Sequence, residues 1–69
     1  MPELYRLATD IARQLEARHA GDMIGLVRAK GELATRAGFM VTLVSRRDPD
    51  DPQKVRRLRE VAAELGIAV

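Results

Sequence analysis

The chain has 69 residues, 46% of them hydrophobic and 32% charged, so it has room for one small domain, residues 1–69. This composition excludes intrinsic disorder and collagen-like repeats, and the absence of cysteine excludes disulfides and thiolate metal sites. Twelve basic side chains against ten acidic ones give a net charge of +2, which permits nucleic acid as a partner without requiring it.

The first predicted element is an amphipathic helix over residues 3–19. Its apolar side chains recur at three- and four-residue spacing, at Leu4, Leu7, Ala8, Ile11 and Leu15. His19, the only histidine, falls near the end of this helix, where a cation interacts favourably with the helix dipole. A lone imidazole makes a poor metal site, so we predict a structural role for it.

A second helix is predicted to begin after Asp22, which can cap its N-terminus, and to end at Gly38. Gly25 and Gly31 weaken this helix by about 1 kcal/mol each relative to alanine, so it either continues to Gly38 or breaks near Gly31 into two pieces. These glycines lack the strand–turn–helix context of a phosphate-binding loop, so close helix packing explains them better.

Residues 39–46, Phe-Met-Val-Thr-Leu-Val-Ser-Arg, are predicted to form a strand. Branched and aromatic side chains favour extended structure, and both alternating faces are apolar, which is typical of a strand covered on both sides. A turn over residues 48–52 follows, in which Asp51 caps the next helix and Pro52 takes its first position.

The last helix has the clearest pattern, an apolar stripe made of Val55, Leu58, Val61, Ala62 and Leu65. Gly66 ends it, and residues 67–69 are predicted as a short terminal strand. The order helix–helix–strand–helix–strand predicts an α/β fold with a right-handed parallel unit. Two strands alone leave unprotected sheet edges, so we predict a homodimer that completes the sheet.

Residues 33–67 also resemble a repressor-type helix-turn-helix domain of the lactose-repressor and Cro kind. Residues 33–38 (Leu-Ala-Thr-Arg-Ala-Gly) are similar to the first motif helix and its glycine turn, and Phe39 matches a buried position. Residues 44–46 (Val-Ser-Arg) resemble part of the recognition helix, and residues 58–67 resemble the supporting helix.

The resemblance implies an all-α fold as the alternative to the α/β prediction. It also implies DNA binding, with Thr42, Ser45, Arg46 and Arg47 facing the groove or the phosphates. Because the same segment carries the strand prediction, the two folds are mutually exclusive there.

A second, shorter resemblance is to the first strand, loop and helix of serine recombinases. Val44 and Ser45 would end the strand and supply the nucleophile, and residues 50–69 would follow as loop, helix and strand. That family has an arginine two residues before its serine, where this chain has Leu43. The rest of such a catalytic domain is absent, so no recombinase activity is predicted.

Enzymatic function is not predicted, because no acid–base pair or nucleophile–base pair can be assembled from these residues. Ser45 has no visible base. Asp48, Asp50 and Asp51 have the oxygen chemistry that Mg²⁺ accepts, but aspartates beside prolines before a helix are what turns and caps require. We therefore predict no metal and no cofactor.

The most concentrated positive charge is an arginine-rich patch around the last helix, made of Arg46, Arg47, Lys54, Arg56, Arg57 and Arg59. Such clusters attract phosphates, although pairing of Arg56 with Glu60 would cancel part of this field. The sequence predicts a small regulatory or accessory protein that binds DNA or RNA through this patch. The alternative is a protein-interaction module, an oligomeric subunit that docks on a larger partner.

Cellular location is predicted from the absence of targeting features. The start, Met-Pro-Glu-Leu-Tyr, shows no basic region followed by an apolar stretch, and so predicts no secretory signal. The longest apolar run, residues 39–44, is far shorter than a membrane span. We expect a cytoplasmic protein that does not insert into membranes.

Overall fold

A computed structural model of the chain describes residues 2–69. The elements in this range are α1 (Glu3–Arg18), α2 (Met23–Ala37), a 3₁₀ turn (Val41–Leu43) and α3 (Pro52–Glu64). Each of the three helices contacts the other two around a shared hydrophobic core. The α/β prediction is therefore wrong, since no residue from 2 to 69 belongs to a strand.

The first helix, α1, follows the predicted apolar spacing. All five apolar residues predicted for its inner face are buried, and Ile11 is completely inaccessible. Pro2 offers the helix no side-chain cap. Instead the carboxylate of Asp50 accepts hydrogen bonds from the backbone N–H groups of Glu3 at 3.0 Å and Leu4 at 2.7 Å. The loop before α3 therefore caps α1, because the first N–H groups of a helix have no partner within it.

Removing the Asp50 cap is expected to destabilise the protein at neutral pH. The two N–H donors hold the pKa of Asp50 below its ordinary value of 3.8, because they stabilise the ionised carboxylate. A lowered folded-state pKa adds stability above pH 3.8, and this stability is lost as the pH falls through the folded-state pKa.

The measurement is the urea midpoint of the parent and of Asp50→Asn, at about pH 7 and at about pH 2. The variant should unfold at lower urea near neutrality, and the gap between the two midpoints should narrow in acid, as the parent carboxyl becomes protonated. An equal gap at both pH values would contradict the cap. Asp48→Asn, which alters a carboxylate of the same loop that does not bind α1, is the matched control.

The second helix, α2, begins and ends as predicted. Asp22 accepts a hydrogen bond from the Gly25 N–H at 2.9 Å, and Gly38 ends the helix with a φ of 82° in the left-handed region. Of the two alternatives at Gly31, a break or a continuous helix, the structure has the continuous helix. At Gly25 an added Cβ would meet the Asp22 carboxylate and the His19 ring, so these two side chains lie directly against the glycine and would have to shift for a larger residue.

Residues 39–46 form the 3₁₀ turn and irregular loop instead of the predicted strand. Val41 alone is fully buried in this segment, and Val44 is half-buried. A strand needs a neighbour for its N–H and C=O groups, and in the described range no second strand supplies one. The Ser45 N–H instead donates to the Asp48 carboxylate at 2.8 Å, a local bond that competes with extended pairing.

The third helix, α3, was also predicted correctly. Asp51 caps it by accepting from the Gln53 N–H at 2.9 Å, and Pro52 is its first residue. The predicted terminal strand is wrong, because the chain turns back at Gly66, whose φ is 70°. The N–H of Ile67 donates to the Ala62 carbonyl at 2.8 Å, which is the hydrogen bond of a Schellman cap. The Ile67 side chain is buried in the core.

The absence of strands also removes the reason for which a dimer was predicted. That prediction depended on exposed sheet edges, and residues 2–69 contain no sheet. Any self-association must therefore use helix surfaces or loops.

Within residues 2–69 no helix combines the length and the apolar character needed to cross a lipid bilayer.

Candidate functional site

An open groove of about 540 Å³ runs beside α1, and we call it the arginine groove. α1 forms one side, and the loop after the 3₁₀ turn and α3 contribute the other. The groove is lined by Tyr5, Arg6, Leu7, Thr9, Asp10, Arg13, Arg46, Arg59 and Val69. Its volume lies within the range of about 300–1,000 Å³ that is usual for ligand sites.

The row Tyr5, Thr9 and Arg13 forms the α1 side of the groove. These residues are four apart, so they follow one another along one face of the helix. Burial of the apolar stripe against α2 and α3 leaves this polar row at the surface. The packing of α1 therefore orients the row and holds it in a rigid element.

Arg46 comes from the loop and lies over the Tyr5 ring, with its guanidinium carbon 5.4 Å from the ring centroid. This is a cation–π contact, in which the aromatic face attracts the cation. Contact with Arg46, and then with the Thr9 hydroxyl, lowers the pKa of Tyr5 below its ordinary value of 10.0. Arg13 lowers it further by its charge, so the phenol stands in a positive electrostatic environment.

The charge of the arginine groove is strongly positive. Four arginines and one aspartate line it, a balance of +3, whereas the whole chain carries +2. Glu3 pairs with Arg59 at 2.7 Å just beside it, and including this carboxylate reduces the balance to +2. Among residues 2–69, no carboxylate lies within ion-pairing distance of Arg6, Arg13 or Arg46.

The structure brings only two of the residues predicted to bind nucleic acid into this groove, Arg46 and Arg59. Thr42 is exposed in the 3₁₀ turn, where a recognition helix would have stood. The Ser45 hydroxyl accepts a hydrogen bond from the Arg47 N–H at 3.2 Å. Ser45 and Arg47 are exposed and do not line the groove.

The arginines of α3 point in different directions. Arg57 donates to the backbone carbonyl of Arg36 at 3.0 Å and pairs with Glu60 at 3.1 Å. The predicted pairing of Arg56 with Glu60 is wrong, because Arg57 takes that carboxylate. Arg56 is exposed and does not line the groove. The predicted patch is therefore divided among separate surfaces.

Sequence reasoning missed the contribution of α1, namely Tyr5, Arg6, Thr9 and Arg13. The first 35 residues contain equal numbers of basic and acidic side chains, so their net charge is zero and does not indicate a binding site. The available signal was the polar row at four-residue spacing, opposite the apolar stripe. That spacing shows a shared helix face, but it does not reveal that Arg46 packs against the same face.

The loop aspartates act as caps and turn residues. Asp50 caps α1, Asp51 caps α3, and Asp48 accepts from the Ser45 N–H. No cluster of three or more histidine, cysteine, aspartate or glutamate side chains within the described chain is arranged to hold a metal ion. The three carboxylates whose oxygen chemistry suits Mg²⁺ therefore accept hydrogen bonds from backbone N–H groups instead.

A second surface feature is an exposed apolar face on the first half of α2. Met23 is 81% exposed, Ile24 72% and Val27 68%. They lie one helical turn apart or adjacent, so they form one patch, which we call the α2 apolar face. Only Leu33 and Ala37 of this helix are buried. Large side chains exposed together are unusual on a monomer and often mark an interaction site.

Comparison of the chain with protein-family models, with curated proteins and with solved structures finds no match in any of the three.

Proposed function

We propose that this chain is a small cytoplasmic, non-enzymatic protein that binds DNA or RNA through the arginine groove, in a regulatory or accessory role. The observation that carries the proposal is the convergence of Arg6, Arg13, Arg46 and Arg59 on one open groove. Phosphate groups attract such clusters by charge and by the release of condensed counterions. Guanidinium groups also match phosphate oxygens in geometry.

The same groove favours binding over catalysis. Asp10 is the only carboxylate side chain among its lining residues, and His19 does not line it. The remaining polar side chains, those of Tyr5, Thr9 and the arginines, donate hydrogen bonds to an anion. Acid–base chemistry needs a pair of groups with matched proton affinities, which this set does not supply.

A titration of labelled oligonucleotides at several salt concentrations tests the proposal. Mixed-sequence single strands and duplexes should bind at about 50 mM salt and should bind much more weakly at about 200 mM. Tyr5 is the only tyrosine and the chain has no tryptophan, so its intrinsic fluorescence reports on the groove during the titration. An absence of binding to either form at low salt would contradict the proposal.

The α2 apolar face supports a second candidate function, a protein-interaction surface, and we infer that its occupant is a second copy of this chain. Ile24 and Gly31 lie two turns apart on one side of α2. Around Gly31 there is open space, since an added Cβ would meet nothing within 4 Å. In a two-fold antiparallel pairing centred near Val27, Ile24 of each copy faces Gly31 of the other.

Charged residues on this face are expected to prevent the pairing. The parent should sediment as a dimer as its concentration rises, and the double variant Ile24→Glu with Val27→Glu should stay monomeric and folded. The double variant Met40→Glu with Leu43→Glu, the same change in charge at two exposed apolar residues outside α2, is the control and should dimerise like the parent. A parent that is monomeric at every concentration would exclude self-association, whether or not the chain docks on a larger partner.

A further inference from the structure

Several donors of the arginine groove lie around the Tyr5 side chain. Tyr5 and Thr9 bring two hydroxyl groups from α1, Arg13 continues the same row, and Arg46 approaches over the Tyr5 ring. Two guanidinium groups and two hydroxyls can surround a single anionic group with several oxygen atoms. Because Arg46 comes from the loop, these donors approach from two sides of the groove and not from α1 alone.

Part of the positive charge near these donors is neutralised. Arg59, the next arginine towards α3, is paired with Glu3, and Arg57 is held by Glu60 and a backbone carbonyl. A long phosphodiester strand therefore meets one strong site and then partly neutralised surface. The groove volume of about 540 Å³ is likewise that of a small ligand and not of an extended strand.

The number of free oxygens and the charge of a phosphate group determine how well it fits these donors. A phosphomonoester has three terminal oxygens and a charge of about −1.5 to −2 at neutral pH. A phosphodiester within a strand has two free oxygens and a single negative charge. Arg13 and Arg46, together with the two hydroxyl donors, match the monoester better, because each additional oxygen and charge finds a donor.

We propose that the arginine groove binds the terminal phosphomonoester of a nucleic-acid strand, held by Arg13 and Arg46 with the hydroxyls of Tyr5 and Thr9. This inference rests on the proposed function, and it adds that strand ends are the preferred ligand. Internal phosphates bind more weakly. Displacement of the Arg46 guanidinium from the Tyr5 ring towards the phosphate accompanies binding.

The test uses one oligonucleotide sequence in three forms, with a 5′-phosphate, with a 3′-phosphate and with hydroxyl groups at both ends. At least one phosphorylated form should bind about tenfold more tightly than the unphosphorylated strand. Inorganic phosphate should compete and change the Tyr5 fluorescence. Arg46→Ala should abolish the preference, and Arg47→Ala, the adjacent exposed arginine outside the groove, should retain it.

The outcomes separate this inference from the proposed function. Equal binding of all three strands would overturn end recognition and leave nucleic-acid binding intact. If no strand binds, the proposed function fails and the inference fails with it. Binding of a phosphorylated peptide in place of any oligonucleotide would assign the same chemistry to a protein partner and overturn both.

Discussion

Replacing Leu58 with alanine is expected to remove most of the stability of this protein. Leu58 lies in the middle of α3 and is completely inaccessible to solvent. Truncation of a buried leucine costs about 2–5 kcal/mol, because the lost contacts leave a cavity. A core in a chain of this size supplies only about 3–5 kcal/mol, and there are no disulfides to add to it. The variant should be largely unfolded by circular dichroism at about 37 °C.

The matched control is Leu43→Ala, which makes the same chemical change at a leucine that is 71% exposed. Its free energy of unfolding should stay within about 0.5 kcal/mol of the parent value, as is usual for surface sites. The measurement is urea unfolding of the three proteins side by side. Equal midpoints for the two variants would show that α3 does not pack on α1 and α2 as described.

The fold was predictable where local signals agreed with the packing. α1 and α3 each combine an apolar stripe with a local start or stop signal, such as Asp51 before Pro52. The segment around Val41 was mispredicted because branched side chains fit a strand only when a partner strand is present. The end of the chain was mispredicted for a related reason. Gly66 allowed a Schellman cap, which satisfies the last carbonyls of α3 without a sheet.

Only part of the site was predictable from the sequence, because its residues are brought together by tertiary packing. Arg46 and Arg59 stood out as members of a basic cluster, but their partners on α1 are more than 30 residues away in the chain. The pairing of Glu60 with Arg57, not with Arg56, has a similar origin. The Arg36 carbonyl anchors the Arg57 guanidinium, and this contact comes from the packing of α2 against α3.

The double variant Arg13→Ala with Arg46→Ala is expected to lose most of the affinity for nucleic acid. A hydrogen bond to a charged group contributes about 1.5–3 kcal/mol, and each 1.4 kcal/mol corresponds to about a tenfold change in affinity. Loss of both arginines should therefore weaken binding by at least about 100-fold at low salt. The slope of log affinity against log salt should fall by about two, one for each lost phosphate contact.

The control for this loss is a second double variant with the same change in net charge, Arg28→Ala with Arg47→Ala. Both of these arginines are exposed, and neither lines the arginine groove. If the arginine groove is the binding site, this control should lose far less affinity than the Arg13→Ala, Arg46→Ala variant at the same salt concentration, because neither of its arginines lines the groove. Equal weakening in the two double variants would mean that total charge governs binding. The arginine groove would then have no special role, because attraction by the total charge of the protein does not depend on where the arginines lie.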